Sequence, residues 1–299
     1  RDIQNELVLA PLFREIPMTS ATQIIPILPD SGYAEFTSNQ TASGSSPHGN
    51  LAQRGDAYNP GSAGGVDLTE KTLSTVKLIS QSFLGNETEE DAIMPILPLI
   101  RESMVRSHAR AIENAILAGN NSANGVFSSG SFDGLIQLAA QDDSSGTHAT
   151  TSGTAFASES LTAADLLAMR KKMGKYGINP AEVLYIVNQQ EYYNLLSDAE
   201  FQDANLVGDM ATKLSGEIGQ VFGSRILLCD EFATPAVSKV HAVAVYPRNY
   251  VMPRLRGVTI ESDYEVANQR RVLVASQRLG FTDLIDGATS VHIRSYKAS

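Results

Sequence analysis

The residues with the widest chemical reach in this chain are five histidines and one cysteine, His48, His108, His148, His241, His292 and Cys229. Hydrolytic catalysis needs a nucleophile, a base and an orienting group within hydrogen-bond reach. None of the histidines lies in a Gly-x-Ser-x-Gly or His-Glu-x-x-His pattern. His48 and His148 fall in polar loops, His108 on a long helical stretch, His241 and His292 on strand-like runs. Asp142, Asp143 and His148 are possible cation ligands, but their loop of Ser and Gly has no ligand spacing and reads as solvated charge. The Gly- and Asn-rich run 119–139 suggests a phosphate cradle. No Gly-Lys-Ser/Thr follows it, so it reads as a turn-rich connector. Cys229 sits in the apolar run ILLCDE and reads as a buried, inert thiol. A single cysteine excludes an internal disulfide and a multi-cysteine metal site. No catalytic, cofactor-binding or metal-binding residue is assigned, and an enzyme is not expected.

Composition narrows the classes further. The chain has 299 residues, 33 acidic against 23 basic, for a net charge of -10. It is long enough for one large domain or two intertwined ones with a true core. No basic stripe supports tight nucleic-acid binding. No run reaches the ~18 apolar residues of a membrane span. No signal peptide is read at the start, so the Asn-x-Ser/Thr triplets at Asn39, Asn86 and Asn120 read as chance matches. The sequence begins at Arg1 without methionine, as a trimmed or protease-processed chain would.

The element that must position the rest is the helical stretch 89–119. Ile93, Ile96, Leu97, Ile100, Met104, Ala111, Ile112, Ala115 and Ile116 recur at steps of three and four and line one helical face. Acidic residues precede it, where the helix dipole favours them, and Gly119 is placed for a left-handed C-terminal cap. Pro95 and Pro98 predict a loose or kinked turn over 89–97, then a continuous helix over about 98–118, ~30 Å long at 1.5 Å per residue. Its apolar stripe, with Ile100, Met104 and Ile112, needs a sheet to cover it.

Before this helix, four prolines make 1–30 an extended arm, with 21–28 (ATQIIPIL) as its clearest extended run. Such an arm buries little of itself and lies on another domain or subunit. Two strand-like flanks, 32–37 and 67–82, enclose a polar stretch and read as an extended hairpin leaving the body. After the helix comes the connector, then a polar loop over 140–160. Thr162 to Asp165 is a capping-box pattern opening a helix. Residues 182–187 read as a buried strand, and Asn188 with Glu191 opens a second helix. Stretch 200–223 reads as irregular, and 225–229 and 240–246 as strands. Period-two alternation over 250–280, around the turn SDYEVANQ, predicts a long antiparallel hairpin, the natural cover for the helix. Residues 289–296 add a last strand.

In this order the elements resemble the major capsid proteins of tailed bacteriophages, the Hong Kong 97 fold. The resemblance runs through most of the chain. It rests on the arm, the polar-tipped hairpin, the flank EKTLSTVKLISQSFLGNETEEDA, the connector AILAGNNSANGVFSSGSFDGLIQLA with Gly119, Gly125, Asp133, Gly134 and Leu135, and RGVTIESDYEVANQRRVLVASQRLGFTDLIDGATSVHI.

The resemblance implies an α+β fold with four parts. These are an N-terminal arm (1–31), an extension-loop hairpin (32–82), a peripheral domain with the spine helix (83–125 and 250–280), and an axial α/β domain (126–249 and 281–299). It implies hexamers and pentamers of this chain closing into an icosahedral virion shell, assembled in the bacterial host cytoplasm, with packaged double-stranded DNA enclosed without specific binding. It also implies portal, scaffolding, maturation-protease and decoration proteins as partners. A start at Arg1 fits removal of a scaffolding segment. Arg54, Asp56 and Tyr58 in the loop, and Ile24 and Ile25 in the arm, are the expected subunit contacts. Some relatives crosslink through an extension-loop lysine. Here the first lysine is Lys71, and Ser276 and Gln277 stand about where those relatives carry the acidic residues that promote the reaction, so no covalent chainmail is expected. An encapsulin-like nanocompartment shares the fold and remains an alternative, as does an α/β hydrolytic enzyme from another class.

Overall fold

A computed structural model describes residues 9–30, 67–86, 96–120, 131–141, 149–155, 161–197, 220–234, 236, 239–285 and 289–297. The chain divides into two compact units, one of Arg1–Ala21 with Ser74–Ser299, the other of Thr22–Leu73. Among the described residues the second unit is a two-stranded sheet of β2 (Thr22–Asp30) and β3 (Asp67–Ser74). The run 67–82, which reads as one strand, is two. It breaks at Thr75, whose N–H and hydroxyl both donate to the Ala21 carbonyl at 3.0 and 3.2 Å. The expected partner strand 32–37 lies outside the described residues.

The larger unit holds two sheets joined by one helix. The first is ordered β1-β10-β11-β4, with β12 also on β10. Here β1 is Arg14–Pro17, β4 Val76–Gly85, β10 Tyr250–Glu265, β11 Arg270–Leu279 and β12 Thr282–Asp283. The expected hairpin forms with a tighter turn than SDYEVANQ. Glu265 pairs Arg270, and Gln269 takes φ 46 to close the corner. Register shifts near Arg254, Arg256 and Thr259 mark bulges in β10, where one strand carries extra residues. β4 pairs β11 along its whole length, from Gly85↔Arg270 to Val76↔Leu279.

The long helix α1 spans Ile96–Ala118 and starts two residues before the expected onset. Pro98 is its third residue, in the first turn, where a missing N–H breaks no helical bond. Gly119 is not a left-handed cap. It lacks the positive φ found at Gly174 and Gly223. Its glycine is required because a Cβ would lie 2.4 Å from the Ala115 carbonyl oxygen and 2.5 Å from that of Phe132. The returning chain crosses the helix end there, and the Gly134 N–H donates to the Gly119 carbonyl at 2.9 Å.

The second sheet is ordered β5-β13-β9-β6-β8-β7. Its strands are β5 Ala149–Ala155, β6 Leu184–Val187, β7 Gln220–Val221, β8 Ser224–Leu228, β9 Val240–Val245 and β13 Val291–Lys297. Three short helices accompany it: α2 Leu135–Gln141, α3 Ala163–Lys172 and α4 Gln189–Ser197. Two of these elements depart from the sequence reading. α2 occupies the end of the expected connector, and β5 lies inside the expected polar loop, parallel to β13. ATTSGTA has no apolar alternation, so its strand depends on pairing with β13 rather than on burial.

Two cores flank this sheet. Leu184 and Ile186 of β6 and Val243 and Val245 of β9 belong to one; Tyr185 and Val187, Ala242 and Ala244 belong to the other. That is the period-two alternation of strands buried on both faces. α3 and α4 supply Leu166, Met169 and Leu195 on one side. On the other side lie Ile112, Ile116 and Leu117 of α1, Leu135 and Leu138 of α2, and Leu9, Ala10 and Phe13. Residues 9–18 therefore do not behave as an arm lying elsewhere. Their apolar side chains complete the core of their own chain, and β1 pairs β10 in parallel.

Candidate functional site

Three local arrangements stand out. The first is a clasp between the start of the described chain and the spine helix. Glu113 faces inward on α1 and is 4% exposed. Its carboxylate accepts from the Leu9 N–H (3.0 and 2.9 Å to the two oxygens) and from the Ala10 N–H (3.1 Å). These amides open a short 3-10 turn over Ala10–Leu12, and the first amides of such a turn have no partner within the turn itself. A charged acceptor gives the stronger kind of hydrogen bond. The sequence showed Glu113 only as a polar residue among apolar neighbours, since its partners lie 104 and 103 positions away.

The second arrangement is a largely buried polar cluster beside the six-stranded sheet. The capping box expected at Thr162 is present: Thr162 Oγ1 accepts from the Asp165 N–H at 3.3 Å, and Asp165 Oδ2 accepts from the Thr162 N–H at 3.1 Å. The other Asp165 oxygen pairs Arg294 at 2.9 Å. Glu191 opens α4, yet its carboxylate serves elsewhere, accepting from the Leu161 N–H (2.9 Å) and Asn194 Nδ2 (3.2 Å). His241 Nδ1 lies 3.9 Å from Glu191, both 1% exposed. Burial pushes His241 down to about 4 against the pull of Glu191, so the ring is neutral at ordinary pH. Glu191, bonded to the Leu161 backbone, fastens α4 to the chain entering α3, and the buried His241 ring of β9 packs beside it. Burial pushes the Cys229 thiol up to about 12, as expected of an inert core cysteine. Among the described residues no group of three or more His, Cys, Asp or Glu side chains could hold a metal ion. Among them, too, no helix is long and apolar enough to cross a membrane.

The third arrangement is the helix-to-sheet packing and the outward surfaces. Met104 is buried with Leu273 and Ala275 of β11, flanked by half-buried Leu97, Ile100 and Ile260. His108 is also buried in this layer, and its Nε2 meets Ser80 Oγ of β4 at 2.9 Å. Ile112 sits further along, in the core shared with Tyr250, Met252 and Leu279 at the hairpin's base. The cover for the spine helix thus includes β4, which the sequence reading placed in the extension loop. The opposite face of this sheet shows Ile79 and Phe83, 52% and 48% exposed, with the Arg270 guanidinium 4.1 Å from the Phe83 ring centre. On β2, Ile24 is 58% exposed and Ile25 half-buried. Arg54, Asp56 and Tyr58 lie outside the described residues, as do Asp142, Asp143, His148 and His48.

Comparison with known proteins agrees with this architecture. The model of the phage capsid family matches residues 1–287. The major capsid protein of Escherichia phage T5 is 35% identical over 279 residues, covering 93% of this chain and 56% of that protein. The chain therefore spans just over half the length of that relative. Solved structures of similar fold include the capsid of the native GTA particle, with TM-score 0.69, 14% identity, 100% of this chain and 93% of that one covered. The Microbacterium phage Oxtober96 structure gives 0.67, 13%, 98% and 93%. The capsid of Cyanophage P-SCSP1u gives 0.67, 14%, 100% and 90%. At these identities the likeness to the solved structures is one of fold.

Proposed function

The chain belongs to the phage capsid family, and on that premise we propose that it is the major capsid protein of a tailed double-stranded DNA phage. Hexamers and pentamers of it close into an icosahedral shell around the genome. The observation that carries this reading is the match of the family model over residues 1–287, nearly the whole chain. The physical picture agrees with it: outward sheet faces bearing Ile79 and Phe83 are what a subunit presents to neighbours.

In this reading the spine helix with the β10–β11 hairpin is the peripheral domain and the six-stranded sheet the axial domain. Ile24, Ile25, Arg54, Asp56 and Tyr58 contact neighbouring subunits. The shell resides in the virion and is assembled in the host cytoplasm, with portal, scaffolding, protease and decoration proteins as partners. It performs no catalysis. With net charge -10 the wall encloses DNA without specific binding, since the salt-dependent attraction of nucleic acid needs clustered cations. No lysine precedes Lys71, which lies past the loop tip, so the tip of the extension loop has no amine to attack a side-chain amide, and Arg54 stays protonated. Contacts between subunits are then non-covalent.

Electron microscopy of particles purified from expressing or infected cells tests the reading. Tailed, DNA-filled heads are expected. Small shells holding cargo protein would point instead to an encapsulin-like compartment, and a stable monomer would overturn both. Boiled in detergent, the particles should run as one band at the monomer mass. A ladder of pentamers and hexamers would reveal a crosslink.

A further inference from the structure

At the β7–β8 edge of the six-stranded sheet, Arg170 ties two loops into one piece. Its Nε donates to the Gly177 carbonyl at 2.6 Å, one terminal nitrogen to Ile178 at 3.1 Å and the other to Phe222 at 3.2 Å. Ser224 Oγ adds a bond to the Pro180 carbonyl at 2.8 Å. Gly223, at φ +77, brings the turn so close that a Cβ would stand 3.3 Å from the Pro180 side chain. The segment 174–180 and the turn 221–224 therefore hold a fixed shape.

That fixed shape presents two large apolar side chains to water. Ile178 is 76% exposed and Phe222 47%. Phe222 also has φ 48, a left-handed conformation in which a bulky residue is strained and glycine or asparagine is not. An exposed ring held in an unfavourable backbone does nothing for the subunit's own stability. Around it the chain is basic: Lys171, Lys172, Lys175 and Arg225 are all exposed. The acid of the same loop, Glu182, is occupied by Arg248 at 2.9 Å.

We propose that the Phe222–Ile178 tip is an anchor that seats in a second copy of this chain. An aromatic and an aliphatic side chain on a pre-ordered support, rimmed by cations, is the make-up of an interface hot spot. The rigid support lowers the entropy lost on docking. The basic rim favours an acidic occupant. Each copy carries net charge -10, so an approaching copy presents a negative field to the basic rim. The inference rests on the shell-forming reading and names where one of its contacts is concentrated.

Phe222→Gly separates the two roles the residue could have. It removes the ring and relieves the backbone. The subunit should melt at or above the wild-type temperature, while sedimentation velocity shows half-association only at more than about tenfold higher protein concentration. Ile178→Ser should weaken association with unchanged melting, and Lys175→Glu should do so most at low salt. Variants that associate like wild type overturn the anchor and leave shell formation standing. A wild type that never associates overturns shell formation itself. A lower melting temperature in Phe222→Gly overturns the anchor, because the tip would then be a folding element. So does wild-type retention of short duplex DNA, lost in Phe222→Gly with association intact, because that assigns the tip to nucleic acid.

Discussion

In the six-stranded sheet, β6 is buried at every position and β9 at all but its first. In the hairpin sheet, β4 is buried only at Leu84, and β10 opens from a buried start to a largely exposed far half. One sheet has a core on each face; the other has a helix on one face and solvent on the other. The difference lies in what each can do alone. A sheet buried on both faces is stabilised by its own chain. A sheet buried on one face keeps a broad surface for other molecules, and among the described residues β4 forms its edge. The spine helix couples the two, with Ile100 and Met104 in the small cluster and Ile112, Ile116 and Leu117 in the large core.

The strongest way to break this comparison is at the junction. Ile112→Asp places a carboxylate where the side chain is 6% exposed, at a cost of several kcal/mol without a partner. Insoluble or non-assembling protein is expected. A soluble, normally assembling variant would show that the two sheets are not coupled through this helix. Single truncations then grade the two sides. Ile186→Ala opens a cavity in a two-sided core and should cost about 4 kcal/mol, whereas Met104→Ala, in a cluster with few buried neighbours, should cost about 2. Urea midpoints of the dissociated subunit would compare them. Equal losses would mean the hairpin sheet is as self-sufficient as its partner.

Acid sharpens the comparison in the two-sided sheet. An unfolded histidine binds a proton near 6.5, whereas burial keeps His241 neutral until about 4, with Glu191, Arg294 and Asp165 around it. The folded pKa is the lower one. The stability His241 contributes is therefore complete above pH 6.5 and drains as pH falls through that window toward 4. The loss is on the order of 3 kcal/mol. Urea midpoints across the window should decline in the wild type and decline less in His241→Gln. Equal slopes would remove His241 as the source. In the hairpin sheet, burial lowers His108 in the same direction, opposed by a hydrogen bond with Ala275.

What could be read from the sequence followed how local its cause was. The spine helix, the hairpin and the Thr162 capping box depend on residues three or four apart or on strict alternation, and all three formed. Misreadings came where the cause is distant. Glu113 is explained only by Leu9 and Ala10, and Gly119 only by the chain crossing at Phe132. β5 exists because β13 offers an edge to ATTSGTA. The LVLAPLF run at 7–13 was apolar enough to suggest core, but the prolines around it read as an arm. Arg170 and Phe222 carried no sequence signal, because a basic residue at a helix end and a phenylalanine before glycine are both ordinary.

The smallest expected effect lies on the open face of the hairpin sheet. Ile79 stands opposite Ser276 of β11 and is half in water. Ile79→Thr keeps the β-branch, so the strand preference survives. It removes apolar area that already stands half in water in the isolated subunit. The subunit's stability should therefore change by no more than about 0.5 kcal/mol, as for ordinary surface substitutions. The assembled particle is a different case. If a neighbour covers this face, the lost apolar area comes out of the interface, and particles should dissociate at lower denaturant while the subunit's own midpoint stays put. A shift in the subunit midpoint would mean that the face is already buried within one chain. No shift in either would mean that it stays open to solvent in the shell, leaving the neighbours to grip elsewhere.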